Sequence, residues 1–239
     1  MIIIPARIGS SRFPNKVLAD IGGIPMVIRT AKAVESIDNV LIATDAQEVI
    51  DIALKYNIQA VMTLDTHQSG TDRIYEAAKR VGLSDDEVII NVQGDEPFIE
   101  TDVVEAIFHL TNKNKQDTSI IMNTCYKLIT NQEADDPNIV KVVANENDMA
   151  LYFSRSKIPY PRDDHFKDYK GHLGIYGFTM KSLEKFCKST PAPLEDIEKL
   201  EQLRALYHGF NISMVKVETE SFGIDTPEDL KKAIQHHQL

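Results

Sequence analysis

Met1–Lys16 reads MIIIPARIGSSRFPNK: a short apolar strand, then a loop with Arg7, Arg12 and Lys16 and no acid. The whole chain carries a formal net charge of -10, so this loop runs against its background. Gly9, Ser10 and Ser11 lie between the cations, where backbone amides can point at a ligand. A basic, flexible turn placed straight after a strand is how α/β proteins grip phosphate. The loop is neither a GxxxxGK[ST] phosphate loop nor a GxGxxG dinucleotide turn. Its wide spacing suits an extended polyphosphate, each cation on a different oxygen, or else a solvated surface loop.

Outward from that strand, short apolar runs alternate with helical patterns. Strands are expected at Ile2–Ile4, Val40–Thr44, Ala60–Thr63 and Val88–Val92, with helices at Pro25–Val34, Ala46–Tyr56 and Thr71–Val81. Val88–Val92 is continuously apolar, the pattern of a strand covered on both faces. This order predicts a mainly parallel sheet with right-handed crossovers. The rhythm then changes. Helix Thr101–Thr111 and strand Ser119–Tyr126 precede a hairpin of Ile139–Val143 and Ala150–Phe153. A loop at Pro159–Lys170 leads to strand His172–Phe178, helices Ser182–Cys187 and Leu194–Tyr207, strand Ile212–Val217 and helix Pro227–Gln235. No repeat or linker divides residues 1–239, so one domain is expected, with residues 119–178 as a β-rich lobe.

Bulk properties narrow the function. A pI near 5.2 argues against a general nucleic-acid or anionic-membrane binder. Cys125 and Cys187 have no metal-site or disulfide spacing and read as two buried thiols. MIII is too short for a signal peptide, and no apolar run approaches the roughly 20 residues a membrane span needs. A cytoplasmic location is expected.

Four further clusters carry chemistry. Val92-Gln93-Gly94-Asp95-Glu96-Pro97 follows the buried strand, where open sheets bind ligands. Asp95 there suits a hard cation such as Mg²⁺, or merely faces water in a turn. Asp225, in Gly223–Asp229, is a helix-start acid if alone and a second metal carboxylate if it meets Asp95. Glu201 and Arg204 fall within the apolar arc of helix Leu194–Tyr207. They read as a buried ion pair or as the border of a polar ligand, the ligand reading suiting Glu201 and the structural one Arg204. His172 and Tyr176 share one strand face, thinned by Gly171, Gly174 and Gly177, and Arg155 is suited to a carboxylate. His67–Arg73 opens a helix with several donors and acceptors, reading a base edge or capping the helix.

With these residues in hand, the chain resembles the 3-deoxy-manno-octulosonate cytidylyltransferases, also called CMP-Kdo synthetases. The likeness runs nearly end to end: IPARIGSSRFPNK, HQSGTDRI, VQGDEPFI, ALYFSRSKIP, GHLGIYGF, LEQLRALYHG and GIDTPEDL in the family's order. The segment between Arg162 and Lys170 looks short for that family. The resemblance implies a Rossmann-like nucleotidyltransferase fold, Mg²⁺ and a homodimer. It implies CTP contacts from Arg7, Ser10, Ser11, Arg12, Lys16, Gln68, Arg73 and Asp95, and metal ligation by Asp95 and Asp225. Lys16, Arg12, Asp95 and Asp225 are the expected catalytic residues. The sugar acid is expected to meet Gln93, Arg155, His172, Tyr176, Glu201 and Gln202. The expected reaction transfers CMP from CTP to the anomeric 2-hydroxyl of 3-deoxy-D-manno-octulosonate, for lipopolysaccharide synthesis. Two alternatives are a cytidylyltransferase for another acid sugar (8-amino-octulosonate or sialic acid) and a non-catalytic nucleotide binder.

Overall fold

The computed structural model describes residues 1–9, 13–163, 166 and 168–237. Its first half alternates strand and helix. β1 (Ile2–Ala6) leads through a 3₁₀ turn at Lys16–Leu18 and the small ribbon β2 (Asp20–Ile21) and β3 (Ile24–Pro25) into α1 (Met26–Val34). β4 (Val40–Thr44), α2 (Gln47–Lys55), β5 (Gln59–Met62), α3 (Gly70–Arg80), β6 (Val88–Asn91) and α4 (Thr101–Asn114) follow. The second half comprises β7 (Ile120–Ile129), β8 (Lys141–Ala144), β9 (Ala150–Ser154) and β10 (Tyr169–Thr179). It ends with α5 (Met180–Lys188), α6 (Pro193–Glu198), α7 (Leu203–Tyr207), β11 (Asn211–Lys216) and α8 (Pro227–His236).

The main sheet runs β5-β4-β1-β6-β10-β7-β11. β5, β4, β1 and β6 are parallel, β7 and β11 are parallel, and β10 pairs antiparallel with both β6 and β7. The expected mixed, mainly parallel α/β sheet flanked by helices is therefore observed. β8 and β9 form the expected hairpin, which leaves the main row through β8–β10 pairing. β7 and β10, also within residues 119–178, are integral to the main sheet.

Side-chain alternation explains the continuous apolar strands. Ile3, Leu41 and Ile89 face the layer of α3 and α5, meeting Ile74, Ala77 and Phe186. Ile2, Ile4, Ile42 and Ile90 face α1 and α4, meeting Val27, Ala31 and Ile107. A strand covered on both sides has no solvent face to keep polar. Gly177 lets α4 lie against β10, because a Cβ there would stand 1.9 Å from Thr111 Oγ1. A third cluster of Ile21, Met26, Ile224 and Ala233, with Phe13 and Phe98, seats α8 against the segments carrying Lys16, Asp95 and Asp225.

Three expectations are corrected. Leu194–Tyr207 is not one helix: α6 stops at Lys199, which adopts a left-handed conformation (φ 54°), and α7 resumes at Leu203. Arg204 then pairs with Glu195, both nitrogen–oxygen contacts lying at 2.6–2.9 Å, and not with Glu201. Cys187 is half-buried, whereas Cys125 is buried.

Candidate active site

The row β5-β4-β1-β6 reverses its order of connection between β1 and β6. Chain leaving β1 passes to β4 on one side, while chain leaving β6 passes to the other. Adjacent loops at such a switch point diverge and leave a crevice beyond the strands' carboxyl ends. A cavity of 380 Å³ opens there, lined by Arg7 and Lys16 after β1, Gln93 and Asp95 after β6, and Gln68 and Asp225. Gly94 makes the close approach of the two loops feasible, since a Cβ there would lie 2.9 Å from the Pro5 carbonyl oxygen.

Lys16 is the centre of this crevice. Its Nζ lies 2.5 Å from Asp95 Oδ2 and 3.0 Å from Asp225 Oδ1. Burial opposes its charge, but the two carboxylates outweigh burial and hold its pKa above the ordinary lysine value. The loops are also tied through the main chain, where the Ile224 N–H donates to the Asp95 carbonyl at 2.9 Å. Asp225 precedes α8, whose capping box joins Thr226 and Asp229. The two acids thus reach a single cationic point. Among the described residues no group of three or more His, Cys, Asp or Glu side chains converges. Two carboxylates completed by substrate phosphates are a donor set that suits Mg²⁺.

The floor and far wall of the cavity come from α3 and its approach. Ser69 caps α3, accepting from the Asp72 N–H at 3.1 Å. Gln68 lines the cavity and donates to the Thr66 carbonyl at 3.1 Å. Arg73 is buried on the floor, donating to Asp45 Oδ2 at 2.8 Å and Thr63 Oγ1 at 2.6 Å. Asp45 also accepts from the Ile8 N–H at 3.4 Å. It was missed in the sequence, although its place just beyond the carboxyl end of β4 marks it. Ser10, Ser11 and Arg12 lie outside the described residues.

A second group of expected residues surrounds β10. Across from Cys125 and Asn123 of β7, β10 runs from Leu173 to Gly177, so it carries extra residues and bulges. Thr124 Oγ1 meets this bulge, 2.7 Å from the Ile175 carbonyl and 3.0 Å from His172 Nε2. His172 packs 5.6 Å from the Tyr176 ring, and burial pushes its imidazole down to about 3. Tyr176 donates to Gln202 Oε1 at 3.2 Å. Together with Glu201, His172, Tyr176 and Gln202 line a cavity of 270 Å³. Gln93 Nε2 donates to the Gly174 carbonyl at 3.3 Å and so joins β10 to the crevice. A further cavity of 650 Å³ shares Asp225 with the crevice and His172 and Gly174 with the smaller cavity, so the three spaces are neighbours. Glu96 and Lys127 line that middle space and were not singled out in the sequence. Burial and the neighbouring Asp95 push the Glu96 carboxyl up to about 8.

Arg155 stands apart. Its guanidinium donates to the main-chain carbonyls of Glu198 at 2.8 Å and Pro137 at 3.0 Å, and it lines none of the three cavities.

The cytidylyltransferase family model matches residues 1–217. The 3-deoxy-manno-octulosonate cytidylyltransferase of a Nitratiruptor species is 57% identical over 232 residues, 97% of each chain. The chain belongs to the 3-deoxy-manno-octulosonate cytidylyltransferase family. The relative of the same name from Wolinella succinogenes is 49% identical over 239 residues, 98% of each chain. A solved CMP:2-keto-3-deoxy-manno-octonic acid synthetase, complexed with CTP, superposes with TM-score 0.89 at 38% identity, covering 100% of this chain and 98% of that one. A solved cytidylyltransferase from Leptospira borgpetersenii, 19% identical with TM-score 0.61 over 98% of this chain and 86% of that one, shares the fold. As a member of the cytidylyltransferase family, the chain is a nucleotidyltransferase.

Proposed function

We propose that the chain transfers CMP from CTP to the anomeric 2-hydroxyl of 3-deoxy-D-manno-octulosonate, releasing pyrophosphate. The observation that carries this reading is Lys16 Nζ between Asp95 and Asp225, in a crevice whose Asp225 also borders the space beside His172, which in turn lines the cavity of Glu201. The nucleotide lies across the switch-point crevice, with its phosphates on Arg7 and Lys16 and its base toward Gln68 and the start of α3. Arg12, Ser10 and Ser11 belong to the same phosphate loop by motif. Asp95 and Asp225 would hold Mg²⁺, which when bound neutralises phosphate charge and eases ionisation of the attacking hydroxyl.

The sugar acid occupies the space along β10. Gln93, His172, Tyr176 and Gln202 position it, and Glu201 accepts from a sugar hydroxyl. His172 stays neutral at working pH and serves as a hydrogen-bonding group. The anomeric oxygen forms a bond to the α-phosphorus while the bond to the pyrophosphate oxygen breaks. The hydroxyl proton passes to solvent. The chain's contribution is alignment and electrostatic preorganisation. Arg155 braces the wall at Glu198 and Pro137, supporting the pocket from outside. A homodimer is the assembly we propose; exposed Leu128 and Leu151 on the 119–178 segment offer it apolar surface. The product is suited to lipopolysaccharide synthesis. No helix among the described residues is long and apolar enough to cross a membrane.

The test is pyrophosphate release from CTP with a panel of sugar acids and Mg²⁺. Release with 3-deoxy-D-manno-octulosonate is expected. Preference for 8-amino-octulosonate or sialic acid would reassign the sugar, and CTP binding without release for any acid would defeat the enzyme reading.

A further inference from the structure

Glu201 is an acid with an unusual setting. It lies in the turn between α6 and α7, entered through left-handed Lys199, so no regular helix stiffens it. Its Oε1 accepts from Thr71 Oγ1 at 2.7 Å, while its Oε2 is buried with no hydrogen-bond partner in the protein. An unpartnered buried carboxylate oxygen is costly, and such atoms mark places where a ligand completes the bonding. Burial pushes the Glu201 carboxyl upward, and the hydroxyls of Thr71 and Ser69 pull the other way. Ser69 already serves α3, accepting from the Asp72 N–H and donating to the Asp72 carboxylate at 3.0 Å.

Thr71 is itself fully buried, in the first turn of α3. Its hydroxyl has one proton, and that proton is given to Glu201 across a separation of 130 residues. The residues just before it, Gln68, Ser69 and Gly70, line the crevice assigned to the nucleotide. One short segment therefore borders the first substrate and holds the acid that faces the second. We infer that Thr71 is a positioning residue for the sugar acid: its hydroxyl fixes the Glu201 carboxylate so that Oε2 accepts a hydroxyl of the incoming sugar. This rests on the assignment of the Glu201 cavity to the sugar.

Thr71→Val keeps the shape and burial of the side chain and replaces the hydroxyl by a methyl, so the donor to Glu201 is lost. A hydrogen bond to a charged group corresponds to about a tenfold effect or more. The KM for 3-deoxy-D-manno-octulosonate is expected to rise about tenfold in Thr71→Val, with the KM for CTP and kcat each within about twofold of wild type. Thr71→Ser, which keeps the hydroxyl, is expected to match wild type within about twofold in all three. If the valine variant fails to fold, Thr71→Ala carries the same expectation. An unchanged sugar KM, an equal rise in both KM values, or no rescue by serine overturns the inference. Wild-type protein that releases no pyrophosphate with the octulosonate overturns the functional reading as well. An active wild type with an indifferent Thr71→Val overturns this inference alone.

Discussion

At the residue scale, Lys16 does two things with one charge. Without phosphate it lies between Asp95 and Asp225, which would otherwise repel each other, at 2.5 and 3.0 Å. With phosphate it has a stronger, more negative partner. Lys16→Gln is therefore expected to lower turnover by about a hundredfold or more while the melting curve keeps a single cooperative transition. The same variant removes the cation that competes for the space between the acids. Binding of free Mn²⁺ without nucleotide, followed by electron paramagnetic resonance, is expected to tighten several-fold; equal or weaker binding would show that the ammonium does not compete there. The residue types of this centre stood out in the sequence, but each had an ordinary alternative there: a solvated loop, a turn acid and a helix-start acid. Arg155, as a chemical type, suits a carboxylate; that main-chain carbonyls of Glu198 and Pro137 accept from its guanidinium is not written in any local pattern.

At the element scale, the start of α3 is held from below by Glu76. Its carboxylate accepts from the Leu64 N–H at 2.9 Å, meets His67 Nε2 at 2.5 Å and pairs with Arg80. Burial pushes this carboxyl up, but the Leu64, His67 and Arg80 contacts outweigh it and bring the pKa down to about 2. A depressed folded-state value means that the stabilisation is present above the ordinary 4.5 and is lost as pH falls toward 2. Glu76→Gln is expected to loosen the 64–67 segment, raising the KM for CTP several-fold and lowering Tm by a few degrees at pH 7. A Tm unchanged at pH 7 would count against the buttress. Element type was well marked here by apolar periodicity and by the serine cap. The break at Lys199 was not, because Leu194, Ile197 and Leu200 keep a helical spacing across it. Glu195 and Arg204 then pair around a turn that periodicity alone does not register.

At the scale of the molecule, the sheet places an uncharged imidazole between two neighbouring cavities. Between pH 3 and 6.5 the unfolded chain binds a proton at His172 that the folded chain refuses, since burial lowers the folded value from 6.5 to about 3. Stability from this group is therefore full above pH 6.5 and is lost as pH falls toward 3. Urea unfolding of wild type and His172→Gln at pH 7 and pH 5 checks this. The variant is expected to lose less on acidification, by on the order of tenfold in the folding equilibrium. An identical loss in both proteins would show that the fold does not hold the imidazole neutral.

The sequence by itself determined the alternation of strands and helices, the hairpin, the acid and base types at strand ends, and the family. Those are properties of neighbours a few residues apart, where periodicity and turn chemistry act directly. Only the tertiary structure decided that Lys16 meets Asp95 across 79 residues and Asp225 across 209, and that Thr71 holds Glu201. A side chain's partner depends on which loops the strand order carries to the same edge. No local pattern states that order; it is set when both faces of the sheet are covered and the chain closes over the switch point.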